Sequence, residues 1–309
     1  LFVVNDARAD PGYINTRDAP HEGAARSRAN CEALWRDFEP YAGEHFLTEF
    51  PHHFHQRWFE MYLAVTLLRA GLEIQCPDGG APDVRVQHRD GRVLWLEATA
   101  PTGGVEGNPD YVAYPPPRKP GEDPVAYAVP IERVIMRVSG ALHAKAAKVR
   151  GYRERNIIAP EHQVLVAISV NLIPHGIYDA ERYGLGATYG LGPQYVLFDR
   201  ATGEAVDGGF QHRPELLRSS GSSVDVAPFL HPGLEQVTGA LVSGTNSANC
   251  PESLGLDFML FPNPRAAPAY TERQIPVGRE WRLAPEGDGY TVVEVIEHSK
   301  AAARDGVVL

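Results

Sequence analysis

The chain has 309 residues, 43% hydrophobic and 22% charged, with a net charge of −10; this suits a folded α/β protein with ample core and excludes wholesale disorder. The acidic balance argues against a general nucleic-acid coat, and no apolar run approaches the length needed to cross a bilayer. Cys31, Cys76 and Cys250 are widely spaced and form no CxxC pair, so they read as reduced thiols of a cytoplasmic protein.

The opening LFVVNDARADPGY has neither a basic start nor a long apolar segment, so no secretory signal is expected. Residues 1–50 are polar and mixed and read as an N-terminal extension, with a possible helix over 27–38. The core is expected over 51–175, and 176–309 supply the remaining sheet and accessory elements of the same domain. His52, His53 and His55 lead into the next helix without the spacing of a zinc site and read as a polar cap region.

Residues 54–70 form the clearest predicted helix, because Phe54, Trp58, Met61, Tyr62, Val65 and Leu68 follow helical spacing. Gly71 ends it, and 72–75 read as a short strand. A hairpin follows, DVRVQHRDGRVLWLEAT, and its register matters. A two-residue loop at Asp90-Gly91 puts Asp83 and Glu97 on opposite faces. A three-residue loop, Arg89-Asp90-Gly91, places glycine at the left-handed bulge position and pairs Asp83 with Glu97. It also collects Val84, Val86, Leu94, Leu96 and Ala98 on one face, and Asp83, Arg85, Trp95, Glu97 and Thr99 on the other. The three-residue loop is therefore expected. Cross-strand partners lie about 5 Å apart, so two ionised carboxylates there call for a cation between them.

The proline-rich residues 101–130 read as a long loop, and 131–152 as a second helix. Residues 132–155 hold seven basic against two acidic residues, a local +5 in an acidic chain; such a stripe can track a phosphate backbone. Residues 164–172 (VLVAISVNL) read as a buried central strand. The run YGLGATYGLGP at 183–193 reads as a flexible loop, since it precedes a strand where a dinucleotide loop would open a helix. Ser219–Ser223 is another loop. Further strands are expected at 195–199, 239–243 and 256–261, with a terminal hairpin over 281–295 turning at Gly287-Asp288-Gly289. No serine, histidine and acid combination suggests a hydrolase triad.

The order acid-bearing helix, Pro82-Asp83 opening a strand, Leu96-Glu97-Ala98-Thr99 in an apolar strand, then a basic helix resembles the PD-(D/E)xK nuclease superfamily over residues 54–172. The resemblance implies an α/β restriction endonuclease-like fold, a mixed central sheet flanked by helices with accessory β elaborations. It implies Mg²⁺ or Mn²⁺ held by Asp83, Glu97 and the Ala98 carbonyl, with Glu60 binding through water or a second metal, and hydrolysis of phosphodiester bonds. The family's lysine is replaced by Thr99. In some members it comes from the following helix, where Lys145 is the first candidate and Lys148 the second. Arg137, Ala141, Lys145 and Lys148 share a helical face, and Lys148 to Tyr152 resembles a Gln-x-x-x-Tyr feature of related nucleases. Arg137, Lys148 and Tyr152 are thus expected to contact nucleic acid, DNA in the first instance. Arg85 and Trp95 are expected to pack beside the site or meet phosphate. A homodimer is an expected assembly. The alternative is an inactive member of the same fold serving as a nucleic-acid-binding or protein-interaction subunit.

Overall fold

The structure is a computed structural model that describes residues 1–77, 79–119, 121–123, 125–286 and 289–295. Helix α1 (Pro11–Asp18) starts with proline in its first turn and an Asp10 cap that accepts from the Gly12 amide. Helix α2 (Glu22–Phe38) buries Ala24, Ser27, Cys31, Leu34 and Phe38 at helical spacing. It begins five residues before the expected helix. After a 3₁₀ turn come the short α3 (Phe46–Glu49) and then α4 (Phe54–Arg69). The expected stripe on α4 is buried or partly buried, but Phe59, Leu63, Ala64 and Leu67 are buried as well. Helix α4 is therefore enclosed on most sides. Residues 1–50 supply part of that enclosure: Tyr13, Cys31, Leu34, Phe38, Phe46 and Phe50 share its core.

Gly71, at φ +78°, ends α4 and leads to β1 (Glu73–Gln75). Strands β2 (Val84–Gln87) and β3 (Val93–Thr99) pair antiparallel, with Val84 opposite Leu96 and Gln87 opposite Val93. This is the register of the three-residue loop. The His88 amide bonds the Arg92 carbonyl, and Gly91 adopts φ +88°. Residues 100–130 contain no helix or strand among those described. Helix α5 (Ile131–Glu154) then crosses over to β4 (Gln163–Ser169), which lies parallel to β3. Strand β4 stops short of residue 172 because the chain turns there, with the Ile173 amide bonding the Val170 carbonyl.

The glycine-rich run is not a loop through its first half. Residues 183–188 belong to α6 (Ala180–Thr188), capped by the Asp179 carboxylate accepting from the Arg182 amide. Its glycines serve close approach: a Cβ on Gly184 would lie 2.2 Å from the Phe261 ring. Local propensity disfavours helix here, and tertiary packing overrides it. Only Gly190, at φ +66°, turns the chain into β5 (Leu191–Phe198). Strand β5 pairs with β6 (Ala205–His212) as a separate two-stranded ribbon, followed by the small hairpin β7 (Glu215–Leu217) and β8 (Ser223–Asp225). Strand β9 (Gly239–Ser243) falls where expected. Strand β10 (Met259–Pro262) starts later than residue 256, because Gly255 at φ +85° begins a turn closed by the Phe258 amide on its carbonyl. Strands β11 (Arg279–Glu286) and β12 (Gly289–Glu294) form the terminal hairpin; Gly287 and Asp288 of its expected turn lie outside the described residues.

Among the described residues the main sheet has eight strands, in the order β1-β2-β3-β4-β9-β10-β11-β12 and of mixed direction. Its two faces carry separate cores. On one, α4 covers Val84, Leu94, Leu96, Leu165 and Leu241. On the other, α5 and α6 cover Val166, Ile168, Ala240 and Val242. The molecule is thus a mixed α/β protein with a large central sheet flanked by helices. No helix among the described residues is long and apolar enough to cross a membrane.

Candidate active site

Strand β3 runs through the middle of the molecule, and Glu97 on it is fully buried, with 0% of its side chain exposed. A carboxylate so placed needs partners. Helix α5 brings two: Lys145 Nζ donates to Glu97 Oε1 at 2.6 Å and Lys148 Nζ donates to the same oxygen at 2.7 Å. The two lysines are three residues apart and occupy neighbouring positions on the helix. The other oxygen, Glu97 Oε2, is buried and has no hydrogen-bond partner.

Asp83 lies just before β2, opposite Glu97 when the pairing is extended by one residue. Its Oδ2 accepts from the Ala98 amide at 2.7 Å. Burial, followed by the charges of Glu60 and Glu97, pushes its pKa up to about 7, against the pull of the Ala98 bond and Lys145. Glu60 approaches from α4. Burial raises it above the ordinary carboxylate range, opposed first by the charge of Arg57. Arg57 pairs with both Glu60 and Glu49. Gln56 donates to Glu60 Oε1 at 2.8 Å and to the Ala98 carbonyl at 3.2 Å, and accepts from the Ala100 amide at 2.8 Å.

The expected residues are therefore brought to one region, but in unequal roles. Glu60 is held by Arg57 and Gln56. Among the described residues, no group of three or more His, Cys, Asp or Glu side chains is close enough to hold a metal ion. Lys148, expected at nucleic acid, is occupied by Glu97. Tyr152 is buried, donates to the Ala81 carbonyl at 3.0 Å, and has the Lys148 ammonium 5.5 Å from its ring centre. It braces the site and offers little surface to a ligand. Arg137 lies further along α5, with Nε donating to the Thr102 carbonyl at 2.9 Å. Arg85 and Trp95 pack on each other, the guanidinium 5.8 Å from the ring centre.

Sequence reasoning missed Gln56 and Arg57. Their signal was spacing: they precede Glu60 by four and three residues on a helix, where side chains meet. It also missed that His45 and Glu49 reach the site. Both line a cleft of about 330 Å³ into which Arg57, Glu60, Asp83 and Lys148 open.

The raised pKa of Asp83 makes a signed prediction for the metal-free protein. Below about pH 4 the carboxyl is protonated both folded and unfolded. Between there and its folded value of about 7 the folded chain keeps a proton that the unfolded chain has lost. Stability from this group therefore falls as pH rises through that window. His55, His88 and His162, held below their ordinary range first by burial, push the other way. The difference between wild type and Asp83→Asn isolates the carboxyl: thermal melts should show the variant gaining on wild type from pH 5 to pH 8. A pH-independent difference would refute the assignment.

No family model matches the chain, and no curated protein or solved structure matches it.

Proposed function

We propose that the protein is a metal-dependent phosphodiester hydrolase acting on nucleic acid, built on a restriction endonuclease-like core. One observation supports this reading: Lys145 and Lys148 of α5 both donate to the buried carboxylate of Glu97, a placement that would replace the motif lysine absent at Thr99. The donor set also suits a hard divalent cation. Glu97 offers a buried oxygen without a partner, half-buried Asp83 lies opposite it across the hairpin and feels its charge, and the Ala98 carbonyl is the next residue's oxygen. Asp83, Glu97 and the Ala98 carbonyl would hold Mg²⁺ or Mn²⁺, with Glu60, bonded here to Gln56 and Arg57, as a further acid of the same region. Such an ion would supply polarisation of the phosphate and a lower pKa for the attacking water. The chain's own residues do the rest. The two ammonium groups offset negative charge that develops on the phosphate. The Ala98 amide keeps Asp83 aimed at the site, and Gln56 fixes the Ala98 carbonyl.

The test is titration calorimetry with Mn²⁺, then cleavage assays on single- and double-stranded DNA and on RNA. Wild type should bind Mn²⁺ and Glu97→Ala should not. Absence of binding to the wild type would reject the reading. A second reading, a non-catalytic nucleic-acid-binding or protein-interaction subunit, is favoured by Arg57 and Gln56 already occupying Glu60. Mn²⁺ binding without cleavage of any of the three substrates would select it.

A further inference from the structure

The N-terminal half of α5 carries a second charged cavity, remote from Glu97. It measures about 250 Å³ and lies between α5, the loop at 102–111 and the turn after β7. Arg133, Arg137 and Arg218 line it together with Asn108, Asp110 and Tyr111. Several arginines elsewhere are paired with carboxylates, among them Arg57, Arg69, Arg213, Arg279 and Arg282. Among the described residues, none of the three cavity arginines forms an ion pair. Arg137 is held by Nε on the Thr102 carbonyl, and Arg133 donates to the Tyr111 carbonyl at 3.4 Å. Both use neutral acceptors. Asp110, the one acid in the lining among the described residues, accepts from the Ser219 amide and hydroxyl at 2.8 and 2.7 Å, and the nearby charges of Arg218 and Arg133 add to the lowering of its pKa.

Three guanidinium groups against the single carboxylate of Asp110 leave the cavity net positive, and guanidinium forks match phosphate oxygens. The cavity is aligned with the site. Arg137 and Lys148 are eleven residues apart, within about 20° on the helical wheel and about 16 Å along the axis. Between them α5 presents Gly140, Ala141 and Ala144, which are exposed or half-exposed and leave the helix surface low.

Resting on the phosphodiester reading above, we propose that the Arg133–Arg137–Arg218 cavity seats a backbone phosphate of a nucleic-acid strand that runs along α5 to Glu97. The cavity then sets where the strand lies relative to the cleaved bond, and a mononucleotide is too short to occupy both sites.

The experiment measures anisotropy of labelled 20-nucleotide single-stranded and duplex DNA with chelator present, across a salt series. The triple variant Arg133→Gln/Arg137→Gln/Arg218→Gln should weaken binding at least about tenfold and flatten the log–log salt slope by about 0.7–0.9 for each phosphate that is no longer neutralised. The double variant Arg133→Gln/Arg218→Gln, which keeps the Arg137–Thr102 bond, should show part of the same change. A control of equal charge, Arg8→Gln/Arg26→Gln/Arg89→Gln at exposed positions, should change little. A triple variant indistinguishable from the control overturns the subsite, as does a wild type that binds inorganic phosphate but no strand. Mn²⁺ calorimetry on the triple variant separates the two readings. Retained Mn²⁺ binding with reduced strand affinity supports the subsite. Arg-dependent strand binding in a protein that takes no Mn²⁺ also supports it, while removing the hydrolase.

Discussion

Replacing both Lys145 and Lys148 with methionine is expected to lower folding stability by about 3–5 kcal/mol and, on the hydrolase reading proposed above, to slow cleavage by about 10²–10³, whereas either replacement alone costs much less. Both lysines donate to one oxygen of a carboxylate with 0% exposure, and the other oxygen has no partner. Losing one ammonium leaves the other within 2.7 Å, so the buried charge stays compensated. Losing both strands it, and a stranded interior charge costs several kcal/mol. The singles should differ. Lys145 is 19% exposed and Lys148 48% exposed, so water screens the second more, and Lys145→Met is the costlier single change. On the hydrolase reading the same sharing would govern chemistry: one remaining ammonium still offsets charge on the phosphate, and none leaves a loss of about 10²–10³ in rate. Urea unfolding of the four proteins gives the cycle directly. Small additive losses would show that the lysines are peripheral to Glu97, and the proposal of a relocated cation would go with them.

The second large effect lies in the fold. Gly184→Val in α6 is expected to destabilise by about 1–3 kcal/mol or more, while Gly140→Ala in α5 stabilises by about 0.5–1 kcal/mol. Both glycines are helical, so propensity alone predicts a gain at each. At Gly184 the new Cβ would lie 2.2 and 2.4 Å from two ring carbons of Phe261, below any real contact. Phe261 is fully buried beside Tyr189, with ring centres 6.3 Å apart, and cannot swing aside. At Gly140 a Cβ would meet nothing within 4 Å. Denaturation midpoints should therefore move in opposite directions. A stabilised Gly184→Val would mean that α6 does not rest on β10 as described.

The hairpin shows how far local pattern reaches. Alternation of apolar residues and the left-handed preference of Gly91 both act within a few residues, and together they specify the register that sets Asp83 opposite Glu97. Helices α4 and α5 were legible for the same reason, since a 3.6-residue period is written into the residues that form it. A basic helix following the acid strand also made Lys145 and Lys148 legible as candidates.

What only the tertiary structure decided is which side chains converge. Glu97 and Lys148 are 51 residues apart, and no local signal says that both lysines meet one carboxylate oxygen. The glycines of α6 look like loop residues until Phe261 and Ile135 supply the surfaces they fit. The first 50 residues look like an extension until Tyr13, Cys31 and Phe38 close over α4. The arginines of the second cavity come from one helix and a distant turn. By itself the sequence determined the periods, the hairpin register and the order of acids and bases. Burial and charge pairing between remote segments depend on how completed elements pack, and that decided the partners of each charge.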